Sequence, residues 1–192
     1  GVSFFPAPDR ASSSSALVVN DTIYLIDLGQ GSVNRLNQAF NTDSLLNDEG
    51  KYVDNPSSTF LSKVKALFFT HLHQDHIADY ASLLLIGAGT GLGSPSQLTL
   101  KAQRPLKVIG PCNRGQLDIN NNPFWTNKWK IKAYSYPHAI TPTPGTIQMT
   151  DTIFQAFAQA INDIMMDDGY PDYKSLVRVR EIGTPLLYQD NP

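Results

Sequence analysis

A layered α/β fold is what this 192-residue sequence predicts. Three observations predict it. Short β-favouring runs at residues 22–26, 64–69 and 106–109 each pass directly into a glycine turn or a segment of helical spacing. Hydrophobic residues make up 41% of the chain and aromatics 10%, enough to bury a core in one domain. The longest apolar runs, at 16–19 and 81–86, fall far short of the roughly 18 residues that cross a bilayer. Repeated strand-to-helix units are the pattern of helices packed on a largely parallel sheet.

The elements follow in order. Residues 16–19 and 22–26 are β-rich runs separated by Asn20-Asp21, a pair that tolerates the positive φ of a tight hairpin. The second run enters Asp27-Leu28-Gly29-Gln30-Gly31, after which Val33, Leu36 and Phe40 recur at helical spacing. Residues 41–59, rich in Asn, Asp, Ser and Gly, are predicted as a loop. The run 64–69 leads straight into Thr70 and a histidine cluster, and 77–86 is predicted as one helix that the glycines of 87–93 end. Residues 106–109 give a strand punctuated by Gly110-Pro111. Residues 113–144, with Asn120-Asn121-Asn122, Trp125, Trp129, Tyr134 and Tyr136, read as an irregular excursion whose aromatics either line a substrate mouth or pin the loop. One amphipathic helix is predicted over 146–166, ended by Gly169 and Pro171, and residues 176–182 alternate as a strand would.

Composition narrows the function classes. Charged residues are 17% of the chain with a formal balance of −2, so there is no basic field for a nucleic-acid backbone. The expectation is a small-molecule substrate, no nucleic acid, no membrane, and a chain that could form a homodimer. Cys112 is the only cysteine, which excludes an internal disulfide and a cysteine-rich zinc knuckle. Sparse Lys and Arg beside plentiful Asn, Gln, Ser and Thr tilt the expected location toward export, periplasmic or secreted. The chain opens at Gly1 without a methionine, which fits a removed leader or trimming equally.

The chemistry concentrates in THLHQDH. His71 and His73 are two apart, so on an extended segment their imidazoles point to one side and can grip one cation. Asp75 and His76 follow at the turn into the helix and can hold a second cation nearby, as two-metal hydrolases do. This nitrogen and oxygen mix suits zinc, with iron or manganese as lesser candidates. A solvated turn, or Asp75 acting only as a charge at a helix N-terminus, is the bland alternative. Neither accounts for three of the four histidines falling within six residues at the mouth of an apolar strand.

With these residues in place the sequence resembles the metallo-β-lactamase superfamily, whose HxHxDH signature His71, His73, Asp75 and His76 match without a gap. LIDLGQGSVNRL, residues 25–36, resembles the strand, glycine turn and helix that precede the signature in the ribonuclease Z-like branch. KVIGP, residues 107–111, and PTPGTIQMTDTIFQAF, residues 142–157, resemble the strand and helix that follow it, with 113–143 as an insertion between them. The resemblance implies an αββα sandwich, of which residues 1–192 look like a single domain holding the N-terminal half. It implies that His71 and His73 ligate one zinc and Asp75 and His76 a second. A bridging hydroxide would be the nucleophile, with Asp75 also orienting it as the catalytic residue. Asp27 would steady a ligand histidine from beneath the site.

The superfamily's later ligands, another histidine, a bridging aspartate and a last histidine in a glycine-aspartate turn, have no counterpart here beyond His138, which the alignment leaves inside the insertion. Two readings therefore stand. One is a dinuclear-zinc hydrolase of an ester, phosphodiester, sulfate ester or lactone. The other is a non-catalytic or incomplete domain that keeps half a metal site. The absence of a glycine at Ala78-Asp79-Tyr80 and the lack of positive charge weigh, on sequence alone, against transfer-RNA processing.

Overall fold

The computed structural model of the protein describes residues 10–40, 59–93, 95–96, 101–102, 104–113 and 143–183. Strands β1 (Ser15–Val19) and β2 (Thr22–Ile26) form the antiparallel hairpin expected from the sequence. Its two-residue turn puts Asn20 at φ 47° and Asp21 at φ 61°, the left-handed conformation that both centres of such a turn require and that Asn and Asp adopt at low cost. Helix α1 (Ser32–Phe40) follows, then β3 (Val64–Phe68), the single-turn α2 (Gln74–Ile77) and α3 (Tyr80–Gly87). A two-residue antiparallel pair, β4 (Pro95–Ser96) with β5 (Lys101–Ala102), precedes β6 (Leu106–Pro111). Helices α4 (Thr146–Ala156) and α5 (Ala158–Asp167) lead to β7 (Val177–Ile182).

The main sheet runs β1-β2-β3-β6-β7. Its last three pairings, β2 with β3, β3 with β6 and β6 with β7, are parallel. Each parallel step needs a crossover, and α1, then α2 with α3, then α4 with α5 lie between the paired strands. Burial shows which strands are covered on both faces. In β3 the neighbours Ala66 and Leu67 are both buried, as are Val108 and Ile109 in β6, although successive side chains point to opposite faces. The edge strand β1, by contrast, is exposed along its whole length. Leu83 and Leu84 of α3, Phe154 of α4 and Ile161 of α5 complete the core with Leu25, Val64 and Leu106.

Two expected helices are each divided. The segment 77–86 breaks at Ala78 and Asp79, because Asp79 is recruited elsewhere: its amide donates to the Leu28 carbonyl at 3.1 Å and its carboxylate accepts from the Val33 amide at 2.9 Å. The segment 146–166 breaks at Phe157, whose φ of −106° and ψ of 17° leave the helical region. Strand β6 also runs on through Gly110 and Pro111 to pair with Glu181 and Ile182. Gly110 is required there, since a Cβ would collide with the Thr146 hydroxyl, which donates to the Pro111 carbonyl at 2.9 Å and ties α4 to the strand. Most of the expected loop at 41–59 and of the excursion at 113–144 lies outside the described residues.

Candidate metal centre

Parallel strands β2 and β3 end side by side, and their C-terminal ends carry the cluster. Directly after β2, Asp27 takes φ 59°, the left-handed conformation that Asp tolerates better than most L residues, and turns the chain across the end of β3. Its amide donates to the Phe68 carbonyl at 2.7 Å. Its carboxylate, only 5% exposed, is the hub of the site. Oδ1 accepts from the Thr70 amide at 2.8 Å, the Thr70 hydroxyl reaches Oδ2 at 2.8 Å, and His76 Nδ1 lies 2.8 Å from Oδ2.

Backbone bonds stitch the helical side of the site to the same turn. Leu28 donates to the His76 carbonyl at 2.6 Å and Ser13 to the Asp75 carbonyl at 3.1 Å. Gly29 allows this closeness, since a Cβ there would collide with the Asp75 carbonyl oxygen. His73 is the N-cap of α2, with extended φ and ψ of −78° and 152°, and its carbonyl accepts from the His76 amide at 3.0 Å. The polypeptide therefore turns sharply between His73 and His76, and this brings the side chains of both near His71. The His71 ring centroid lies 4.5 Å from that of His73 and 4.0 Å from that of His76. Asp75, 6% exposed, places Oδ2 at 3.5 Å from His76 Nε2. Partial burial, and then the neighbouring rings of His76 and His73, hold the His71 pKa below the ordinary histidine value.

All five residues that the sequence singles out within the described region, His71, His73, Asp75, His76 and Asp27, meet at this one place. His138 lies outside the described residues, as do Trp125, Trp129, Tyr134 and Tyr136. The imidazoles stand ring against ring, and among the described residues no group of three or more His, Cys, Asp or Glu side chains is arranged to hold a metal ion. What suits a transition metal is the donor chemistry. The Asp27 carboxylate can only accept, so His76 Nδ1 donates to Oδ2, and this turns Nε2 toward Asp75 Oδ2, 3.5 Å away. Thr70 and Asp79 are the residues that sequence reasoning passed over. Thr70 stands immediately before the first histidine at a strand end, and that position was the available signal. Tyr80 is a core residue. It is fully buried, packs edge-on to Phe69 at 5.0 Å, and its hydroxyl meets Thr150 Oγ1 at 2.9 Å, so burial pushes its pKa up.

No protein-family model matches the chain. It is 27% identical over 106 residues to ribonuclease Z 2, mitochondrial, of Schizosaccharomyces pombe, a match that covers 55% of this chain and 12% of that protein. Among solved structures, the metallo-beta-lactamase fold protein YhfI from Bacillus subtilis is 22% identical, with 57% of this chain and 33% of that one covered at a TM-score of 0.36. The short form of human tRNase Z is 15% identical, with 96% and 42% covered at a TM-score of 0.47. The chain thus spans 12% to 42% of the length of these relatives. The five-stranded sheet with its helices makes the described part an α/β protein, and the match to a ribonuclease Z supports a relationship to the metallo-β-lactamase superfamily. That relative points to the ribonuclease Z-like branch.

One expectation is overturned. The sequence argued for a small-molecule substrate and no nucleic acid, yet the curated relative is by name a ribonuclease. The formal charge of −2 is counted over 192 residues, of which the 106 that match cover 12% of that relative. A charge balance over so small a share says nothing about the field of a whole RNA-binding surface.

Proposed function

We propose that this chain carries the histidine-rich part of a metal-dependent phosphodiesterase site that acts on RNA, in the manner of ribonuclease Z. The observation that supports the reading most is the Asp27 hub, which holds His76 with Nε2 turned toward the buried Asp75 carboxylate. In this proposal His71 and His73 hold one zinc ion and Asp75 and His76 a second. Such ions, when bound, lower the pKa of water toward 7 and stabilise negative charge on a phosphoryl group. The chain's own residues then divide the work. Asp75 accepts a hydrogen bond from the attacking water and so aims its lone pair at phosphorus. Asp27 and the backbone bonds of Leu28 and Ser13 keep the donors fixed while the P–O bond to the leaving oxygen breaks.

The test is metal analysis of the protein purified without chelator, beside cleavage of a precursor transfer RNA and of a small aryl phosphodiester. About two ions per complete site and cleavage of the RNA are the expected results. Metal well below one ion per chain would refute the reading.

A further inference from the structure

We propose that Thr70 is a positioning residue that fixes the proton of His71 on Nδ1 and so leaves Nε2 bare as a donor. The inference rests on the reading of the cluster as a metal site, but its first test needs no metal. A threonine hydroxyl has one proton to give. Thr70 Oγ1 lies 2.8 Å from Asp27 Oδ2 and 3.1 Å from Oδ1, and a carboxylate only accepts, so that proton goes to Asp27. His71 Nδ1 lies 2.9 Å from the same Oγ1, whose remaining capacity is to accept. Nδ1 must then be the protonated nitrogen, and in a neutral imidazole Nε2 is the bare one.

One buried carboxylate therefore sets two histidines, His76 directly at 2.8 Å and His71 through the Thr70 hydroxyl. The Thr70 amide, donating to Oδ1 at 2.8 Å, fixes the relay independently of the hydroxyl. A valine here would keep the shape and the amide bond but lose the relay. A serine would keep both.

Nitrogen-15 spectra of the histidine rings in the full, metal-free chain, taken at mildly alkaline pH, read the tautomers directly. His71 and His76 should both carry the proton on Nδ1. In T70V, His71 should shift toward the Nε2–H form that imidazole prefers in water while His76 stays unchanged, and T70S should restore the wild-type pattern. Zinc titration should then show affinity reduced by roughly 10–100-fold in T70V and recovered in T70S. An Nε2–H tautomer at His71 in the wild-type chain, or a T70V spectrum unchanged at His71, would overturn the proposal. The wild-type spectrum decides the matter even if T70V fails to fold. An Nδ1–H tautomer in a protein that binds no metal would sink the proposed function and leave the relay standing.

Discussion

Replacing Gly29 with alanine tests whether the site depends on close approach of the Asp27 turn to α2. A Cβ at Gly29 would collide with the Asp75 carbonyl oxygen and come within 2.6 Å of Ser12 Cβ and 2.8 Å of the Ser13 amide nitrogen. Two of these three neighbours are backbone atoms, so no side-chain rotation relieves the clash. The turn and the helix must separate, and the bonds from Ser13 to the Asp75 carbonyl and from Gly29 to the Ser13 carbonyl, 3.1 and 2.9 Å, go with them. Two such bonds contribute about 1 kcal/mol each, and overpacking adds about 1–3 kcal/mol. The sum is a loss of about 3–5 kcal/mol. Gly169→Ala is the control, because Gly169 has a φ of +66° but nothing within 4 Å of a new Cβ, so only the backbone cost of roughly 1–2 kcal/mol applies. Urea denaturation followed by far-ultraviolet circular dichroism measures both. A Gly29→Ala loss below about 1 kcal/mol, or equal to that of Gly169→Ala, would refute the reasoning.

Asp27→Asn should weaken metal binding by roughly 10–100-fold, since one amide oxygen cannot accept from both the Thr70 amide and His76 Nδ1; unchanged affinity in a zinc competition titration would count against the hub. Asp75→Ala should abolish hydrolysis with a near-native far-ultraviolet spectrum, and activity kept within tenfold, about 1.4 kcal/mol of barrier, would show that its role is assigned wrongly. His71 has its pKa held below the ordinary value in the fold, so the unfolded chain binds its proton more readily. The resulting stability is present above about pH 6.5 and is lost as pH falls through the folded value. Denaturation midpoints of the metal-free chain should therefore drop on acidification, and less so in H71Q; identical pH profiles would contradict this. Leu83→Ala, at a fully buried position of α3, should cost about 2–5 kcal/mol by chemical denaturation, and a cost under 1 kcal/mol would place Leu83 outside the core.

The parts of the fold that were legible in the sequence are those whose cause is local. Asn20-Asp21 announces its own turn by tolerating positive φ, and the run into Asp27, Leu28 and Gly29 marks a strand end through residues that sit there. The cluster was legible for a different reason, because few roles other than ligation gather three histidines and an aspartate at a strand mouth. What stayed hidden depends on distant partners. The helix break at Asp79 follows from a bond to Val33, 46 positions away, and no residue near it signals the stop. Phe157 divides α4 from α5 with neither glycine nor proline beside it, and nothing in the structure explains that break. Thr70 carries only a positional signal in the sequence, next to the first histidine, and its placement over Asp27 is what gives that position a role.

The contact between the two chain ends that flank residues 114–142 makes that stretch an exchangeable cassette. A Cβ on Gly145 would come within 2.5 Å of the Asn113 amide nitrogen and 2.7 Å of the Cys112 carbonyl carbon, so the chain leaves β6 and re-enters before α4 at nearly one point. Glu181 of β7 accepts from the Ile147 amide at 2.8 Å and pins that point to the sheet. With the exit and the return already adjacent, the cost of closing the loop grows only by about 0.6 kcal/mol for each doubling of its length. Descendants of this gene can therefore lengthen, trim or replace the stretch with little penalty to β6, α4 or β7. The described ends on either side of the stretch lie at the C-terminal end of the parallel sheet, the same end that carries His71 and Asp75.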